Sequence, residues 1–128
     1  MSLAAPRILV ADDDPTACLL MQAALSNRGY SITTVESGDA ALAAFASEKF
    51  AMAVLDIEMP GLDGYLVCSE LRRLYGKTLP IILVTGHDDR AAIEAGFAAG
   101  ASDFISKPIN WSTLAERLRP WLEKLQPA

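Results

Sequence analysis

Only two cysteines, Cys18 and Cys68, occur in the 128 residues. That is too few for a disulfide framework, so the chain reads as cytoplasmic. No apolar run approaches the roughly 20 residues that span a bilayer, which argues against a membrane partner. The opening Met-Ser-Leu-Ala-Ala-Pro-Arg lacks the apolar core of a signal peptide. Positive charge is scarce: 11 Lys and Arg face 16 Asp and Glu, a formal net charge of −5. Such a surface is a poor general binder of phosphate backbones, which argues against direct contact with nucleic acid. There is no internal repeat, low-complexity tract or interdomain linker, so the expectation is one domain over residues 1–128, its core running from about residue 7 to about 125. What the chain does have is apolar content, at 52%, enough to exclude disorder by composition. It also has 21 alanines, which favour well-populated helices.

Five short apolar runs alternate with five stretches of helical character. The runs are Ile8–Ala11, Ile32–Val35, Met52–Leu55, Ile81–Val84 and Phe104–Ile105. Three of them are apolar without a period of two, as strands are when helices cover both faces of a parallel sheet. The second, Ser31-Ile32-Thr33-Thr34-Val35, alternates and suits an edge. Asp14 before Pro15 caps a first helix that should stop near Arg28 and Gly29; Ser37, Asp63 and Asp89 cap the next three. The third should bury Leu66, Val67, Leu71 and Leu74. The fourth carries Gly96 inside it, at a cost of about 1 kcal/mol against alanine, and should be the softest. The fifth begins near Ser112, with Leu114, Leu118, Trp121, Leu122 and Leu125 as its apolar stripe, and Pro120 should kink it or split off its last turn. A strand-helix unit repeated five times predicts a doubly wound α/β domain with a five-stranded parallel sheet, since such crossovers are right-handed. The carboxyl ends of its strands should then converge on one edge, where these folds hold their chemistry.

The residues after each strand are therefore the candidates. Asp12, Asp13 and Asp14 follow the first, Asp56 the third, Thr85 the fourth, and Ser106-Lys107-Pro108 the fifth. Several carboxylates within a few ångströms cannot all stay ionised without compensation. A hard divalent cation with oxygen ligands, Mg²⁺ or Mn²⁺, supplies it. Helix capping accounts for Asp14 and makes the same role redundant for Asp12 and Asp13. Asp56 taken alone is an ordinary polar strand end, and Thr85 an ordinary β-branched one. Lys107 is a counter-ion to the acids or, near a phosphoryl group, a point-charge anchor for one of its oxygens. The Lys107-Pro108 bond is a candidate for a cis peptide that aims the side chain inward.

Four motifs stand in order along the chain: Ile8-Leu9-Val10-Ala11-Asp12-Asp13; Leu55-Asp56-Ile57-Glu58-Met59-Pro60-Gly61-Leu62-Asp63-Gly64; Val84-Thr85-Gly86; and Asp103-Phe104-Ile105-Ser106-Lys107-Pro108. Together they resemble the receiver domain of two-component response regulators, from Ile8 to about Leu125. The resemblance implies a flavodoxin-like (βα)5 fold with strand order 2-1-3-4-5. It makes Asp56 the phosphoacceptor, and Asp13, Asp56 and the backbone carbonyl of Glu58 direct ligands of Mg²⁺. Asp12 would act indirectly, mainly through water or through contacts behind the direct ligands, Lys107 would hold the phosphoryl group, Thr85 would be the switch hydroxyl and Phe104 the switch aromatic. Glu58 and His87 occupy rim positions that tune the phosphoryl lifetime in the family, unless they are simply solvated.

The implied activity is a signalling one: phosphoryl transfer from a sensor histidine kinase to Asp56, later lost to water, with no catalysis on an outside substrate. The face of the fourth helix, fifth strand and fifth helix would control an output domain or a downstream protein, and allows a phosphorylation-dependent homodimer. Lys107-Pro108-Ile109-Asn110-Trp111 resembles receivers fused to cyclic-di-GMP enzymes of the GGDEF or EAL type. The chain is then a fragment of such a protein or a stand-alone receiver. Three rivals share parts of this pattern. A flavodoxin would need a hydroxyl-rich phosphate loop where three aspartates stand. An aspartate-nucleophile phosphatase expects a second Asp where Glu58 is. A receiver-fold interaction module would never be phosphorylated. Cys18 and Cys68, on the first and third helices, should be separated by the sheet and remain free.

Overall fold

The computed structural model describes residues 5–86 and 90–123. Strands and helices alternate without exception: β1 (Arg7–Ala11), α1 (Pro15–Ser26), β2 (Ser31–Val35), α2 (Gly38–Ser47), β3 (Met52–Asp56), α3 (Gly64–Tyr75), β4 (Ile81–Thr85), α4 (Arg90–Ala99), β5 (Asp103–Ser106) and α5 (Leu114–Glu123). The five strands form one sheet in the order β2-β1-β3-β4-β5, every pair parallel. The alternating run is thus an edge strand, as its pattern predicts.

The unbroken apolar runs have a direct physical reason. Successive strand residues point to opposite faces, and both faces are covered. Leu9, Ala11, Ala53, Leu55, Ile81, Leu83 and Phe104 pack with Ala41 and Phe45 of α2 and Val67, Cys68 and Leu71 of α3. Ile8, Val10, Met52, Val54, Ile82, Val84 and Ile105 pack on the other side with Met21 and Leu25 of α1 and Leu114, Leu118 and Leu122 of α5. Cys18 and Cys68 are both free. Their helices lie on opposite faces, and their thiols donate to different carbonyls, of Asp12 (3.3 Å) and Ala99 (3.5 Å).

The caps form as the sequence predicts. Asp14 accepts the N–H of Thr16 at 3.0 Å, Ser37 Oγ that of Ala40 at 3.1 Å, and Asp63 that of Leu66 at 2.9 Å. The Asp89 cap and Leu125 lie outside the described residues. Three local expectations differ. α1 ends at Ser26, and the chain leaves it through a turn in which Gly29 takes φ +89°. α5 begins at Leu114 rather than near Ser112 and runs to Glu123 as one helix, so Pro120 does not split off its last turn. In α3 the buried stripe is Gly64, Val67, Cys68 and Leu71, while Leu66 and Leu74 are exposed. Gly64 decides this: a Cβ there would stand 2.6 Å from the carbonyl oxygen of Asp56, so the residue without a side chain takes the inward position and sets the rotation of the helix.

Candidate functional site at the carboxyl edge of the sheet

Parallel strands of similar length deliver their ends to one rim. Asp12 follows β1, Asp56 closes β3, Thr85 closes β4 and Lys107 follows β5. Asp12, Asp56 and Thr85 are 3%, 2% and 3% exposed, and among the described residues they are the buried polar or charged ones. Burying polar groups without partners is expensive, and each carboxylate here has one. Asp12 Oδ1 accepts the N–H of Asp14 at 2.9 Å. Asp56 Oδ1 accepts the N–H of Glu58 at 3.0 Å, and its Oδ2 accepts from Lys107 Nζ at 2.7 Å.

Oxygens of Asp12, Asp13 and Asp56 lie within 4.8 Å of one another, with Asp13 exposed above the two buried carboxylates. The crowding shows in the protonation of Asp12. Burial, reinforced by the neighbouring Asp56, pushes its carboxyl up to about 6 from an ordinary 3.8. Lys107 is shifted upward as well, which in its case favours the charged form. Burial works against its charge, but Asp56 beside it, with Asp12 and Glu58 further off, holds it above the usual lysine range. The oxygen-only donor set suits a hard divalent cation that keeps several waters.

The loop after Asp56 is folded back onto the site. Ile57 N–H donates to the carbonyl of Val84 (3.0 Å) and Gly64 N–H to that of Ile57 (3.0 Å), with Gly61 at φ +76° making the turn between them. Lys107 is held from its backbone: its N–H donates to the carbonyl of Thr85 at 2.8 Å, and its bond to Pro108 is cis. Phe104 is 9% exposed, its ring lies on Gly96, and Phe97 meets it edge-on at 5.1 Å between centroids.

The structure therefore brings together Asp12, Asp13, Asp56, Lys107 and the amide of Glu58, places Thr85 next to the strand partner of Asp56, and turns Phe104 inward. His87 lies outside the described residues. Two contributors had no assigned role in the sequence. Gly64 permits the close approach behind Asp56, and its signal was a capping Asp followed directly by glycine. Cys18, whose thiol supports the Asp12 carbonyl, had no legible signal, because a buried thiol in a helix reads as a small apolar residue.

The response regulator receiver domain family matches residues 8–119. Response regulator MprA of Mycolicibacterium vanbaalenii is 40% identical over 121 residues, covering 94% of this chain and 52% of that protein. The chain thus spans about half the length of the curated relatives it matches. Among solved structures, the signal receiver domain of a signal transduction histidine kinase from Syntrophus aciditrophicus superposes with a TM-score of 0.89 at 29% identity, covering 97% of this chain and 95% of that one. A CheY-like receiver domain protein from Methanospirillum hungatei gives 0.88 at 28% identity, covering 94% and 95%. With the acid cluster, the lysine and the strand order already in place, these likenesses carry the conclusion that the chain belongs to the response regulator receiver domain family, the receiver of a two-component response regulator.

Proposed function

We propose that Asp56 accepts a phosphoryl group from the phosphohistidine of a sensor histidine kinase. The contact that carries this reading is Lys107 Nζ on Asp56 Oδ2 at 2.7 Å, at the floor of the acid cluster. A carboxylate oxygen of Asp56 forms the new O–P bond as the N–P bond of the donor breaks, leaving an acyl phosphate and a free imidazole. The transition state is loose, with charge spread over three equatorial oxygens, so the protein's contribution is position and electrostatics. Lys107 keeps the Asp56 charge balanced before transfer and is within reach of a phosphoryl oxygen after it. Thr85 donates its hydroxyl to another.

The residues fit Mg²⁺, or Mn²⁺ in its place. Asp13, Asp56 and the backbone carbonyl of Glu58 would hold the cation, with Asp12 acting through water. A carboxyl such as Asp12, protonated until about pH 6, is one that a nearby dication readily ionises. The bound ion supplies charge neutralisation at the phosphoryl oxygens. Phosphorylation adds negative charge and acceptor oxygens. Thr85 moves toward them, and the change reaches the face of α4, β5 and α5 through Phe104. That face controls an output domain or a downstream protein. The Lys107-Pro108-Ile109-Asn110-Trp111 run supports an output of the cyclic-di-GMP enzyme type. Rim residues Glu58 and His87 set the lifetime of the acyl phosphate.

Labelling with acetyl phosphate or a cognate kinase, in Mg²⁺, tests the reading. One phosphoryl group per chain is expected in wild type and none in Asp56→Asn; undiminished labelling of that variant would sink it. Titration with Mg²⁺, followed at the Glu58 amide, should lose its response in Asp13→Asn. An unchanged affinity there places the metal elsewhere.

A further inference from the structure

α4 is attached to the domain unlike the other helices. Gly96 is its one buried residue among those described. A Cβ at that position would stand 2.1 Å from Phe104 Cζ, so the middle of the helix rests directly on the Phe104 ring. Its ends are held from α3. Tyr65, Cys68 and Arg72 are spaced i, i+3, i+7 and share one stripe of that helix. Each donates to a backbone carbonyl of α4 or of the residue that ends it. Tyr65 Oη donates to Ala92 at 3.1 Å, Cys68 Sγ to Ala99 at 3.5 Å, and Arg72 Nε and Nη2 to Gly100 at 3.0 and 2.7 Å.

The two ends are held by different side chains of α3. At the carboxyl end the same Arg72 guanidinium also donates to the carbonyls of Gly76 and Leu79, both at 2.8 Å, which ties the end of α4 to the turn before β4. At the amino end α3 reaches α4 through the Tyr65 hydroxyl, which donates to the carbonyl of Ala92. That tie is also mechanically close to the acid cluster. Tyr65 follows Gly64, whose N–H donates to the Ile57 carbonyl at 3.0 Å and whose missing side chain lets it lie against the carbonyl of Asp56.

We propose that α4 is a lever, pinned at Gly100 by Arg72, resting on Phe104 at Gly96, and caught at Ala92 by the Tyr65 hydroxyl, which lets go when the receiver switches. The proposal rests on the reading of Asp56 as phosphoacceptor and adds a second path from that residue to α4, alongside Thr85 and Phe104. Its physical content is a two-position element whose balance the site biases. While the catch is closed it favours the resting position. A phosphoryl group, or a mimic of it, must therefore work against the catch, and removing the catch strengthens binding of the mimic by the same factor.

Tyr65→Phe removes one hydroxyl and leaves the ring. The full chain is compared with this variant in two measurements. In amide hydrogen exchange without any mimic, the first turns of α4 should exchange about three- to tenfold faster in Tyr65→Phe, the worth of one ordinary hydrogen bond, with the last turn unchanged. Titration with beryllofluoride in Mg²⁺ should then reach half-saturation at a concentration lower by a similar factor. Arg72→Lys keeps the charge but loses the fork, and should loosen the last turn of α4 before the first. Unchanged exchange and an unchanged midpoint in Tyr65→Phe overturn the lever. Equal loosening of both ends in both variants overturns it too, since that is general softening. If beryllofluoride leaves wild type unaltered, the phosphoacceptor reading fails, and the exchange comparison without mimic still decides whether Tyr65 holds α4.

Discussion

At the carboxyl ends of β1, β3 and β4 stand Asp12, Asp56 and Thr85; near the amino ends of the same strands stand Ile8, Met52 and Ile81, each fully buried among apolar neighbours. Around those amino ends Phe45, Phe50 and Tyr75 form an aromatic group, with ring centroids 5.0 and 5.4 Å from Phe45. The Tyr75 hydroxyl donates to the Phe45 carbonyl at 2.9 Å, and the Arg7 guanidinium lies 5.1 Å from the Phe50 ring centre. One end of the sheet gathers like charges under partial burial, which costs stability. The other gathers rings, which adds stability and offers no chemistry. The contrast places function where the fold is least content, with the cost carried by packing elsewhere.

That contrast can be broken at either end. The largest effect should come from the aromatic end. Phe45→Ala removes a ring that is 6% exposed and should destabilise by about 3 kcal/mol or more, read as a lower midpoint in urea. Labelling of the variant that remains folded should be unaltered. Loss of labelling with stability intact would mean the two ends are not independent.

A smaller effect of opposite sign is expected at the acidic end. The folded chain holds the Asp12 proton to about pH 6, against 3.8 ordinarily, so between those values it binds more protons than the unfolded chain. The contribution is full below about pH 4 and is lost as pH rises through about 6. In chelator at pH 7, Asp12→Asn should therefore stabilise by about 1–2 kcal/mol, a gain that fades toward pH 4. Thermal melts across that range test it, and a destabilised variant at pH 7 would show that Asp12 is not held at a cost.

The smallest effect should be at Arg7, whose ion pair to Glu48 is 3.0 Å long with both side chains about two-fifths exposed. Exposed pairs contribute little and are screened by salt. Arg7→Ala should cost less than about 1 kcal/mol, part of it vanishing in high salt. A larger loss would make the contact over Phe50 a principal support of that end.

The strands and the rim were legible because each depends on local pattern plus one rule, while the order 2-1-3-4-5 came with the receiver resemblance. Apolar runs without alternation announce strands covered on both faces, and parallel strands must bring Asp12, Asp56, Thr85 and Lys107 to one edge. The α3 stripe was not legible. Leu66 and Leu74 have helical spacing from Val67 and Leu71 as good as Cys68 has, and periodicity cannot tell which arc faces the sheet. The rotation is chosen by Gly64 against the Asp56 carbonyl, a contact between residues of different elements.

By itself, then, the sequence determined which segments are strands, where helices are capped, and which chemically capable residues stand at strand ends, since these follow from short-range sterics and from the two-residue and 3.6-residue periods. Tertiary structure alone decided that Lys107 meets Asp56 at 2.7 Å across 51 positions of chain, that Gly96 seats the Phe104 ring, and that Tyr65 and Arg72 hold the two ends of α4. Those are distances between elements. They are set by how whole surfaces fit once the sheet has formed, and no local pattern encodes that fit.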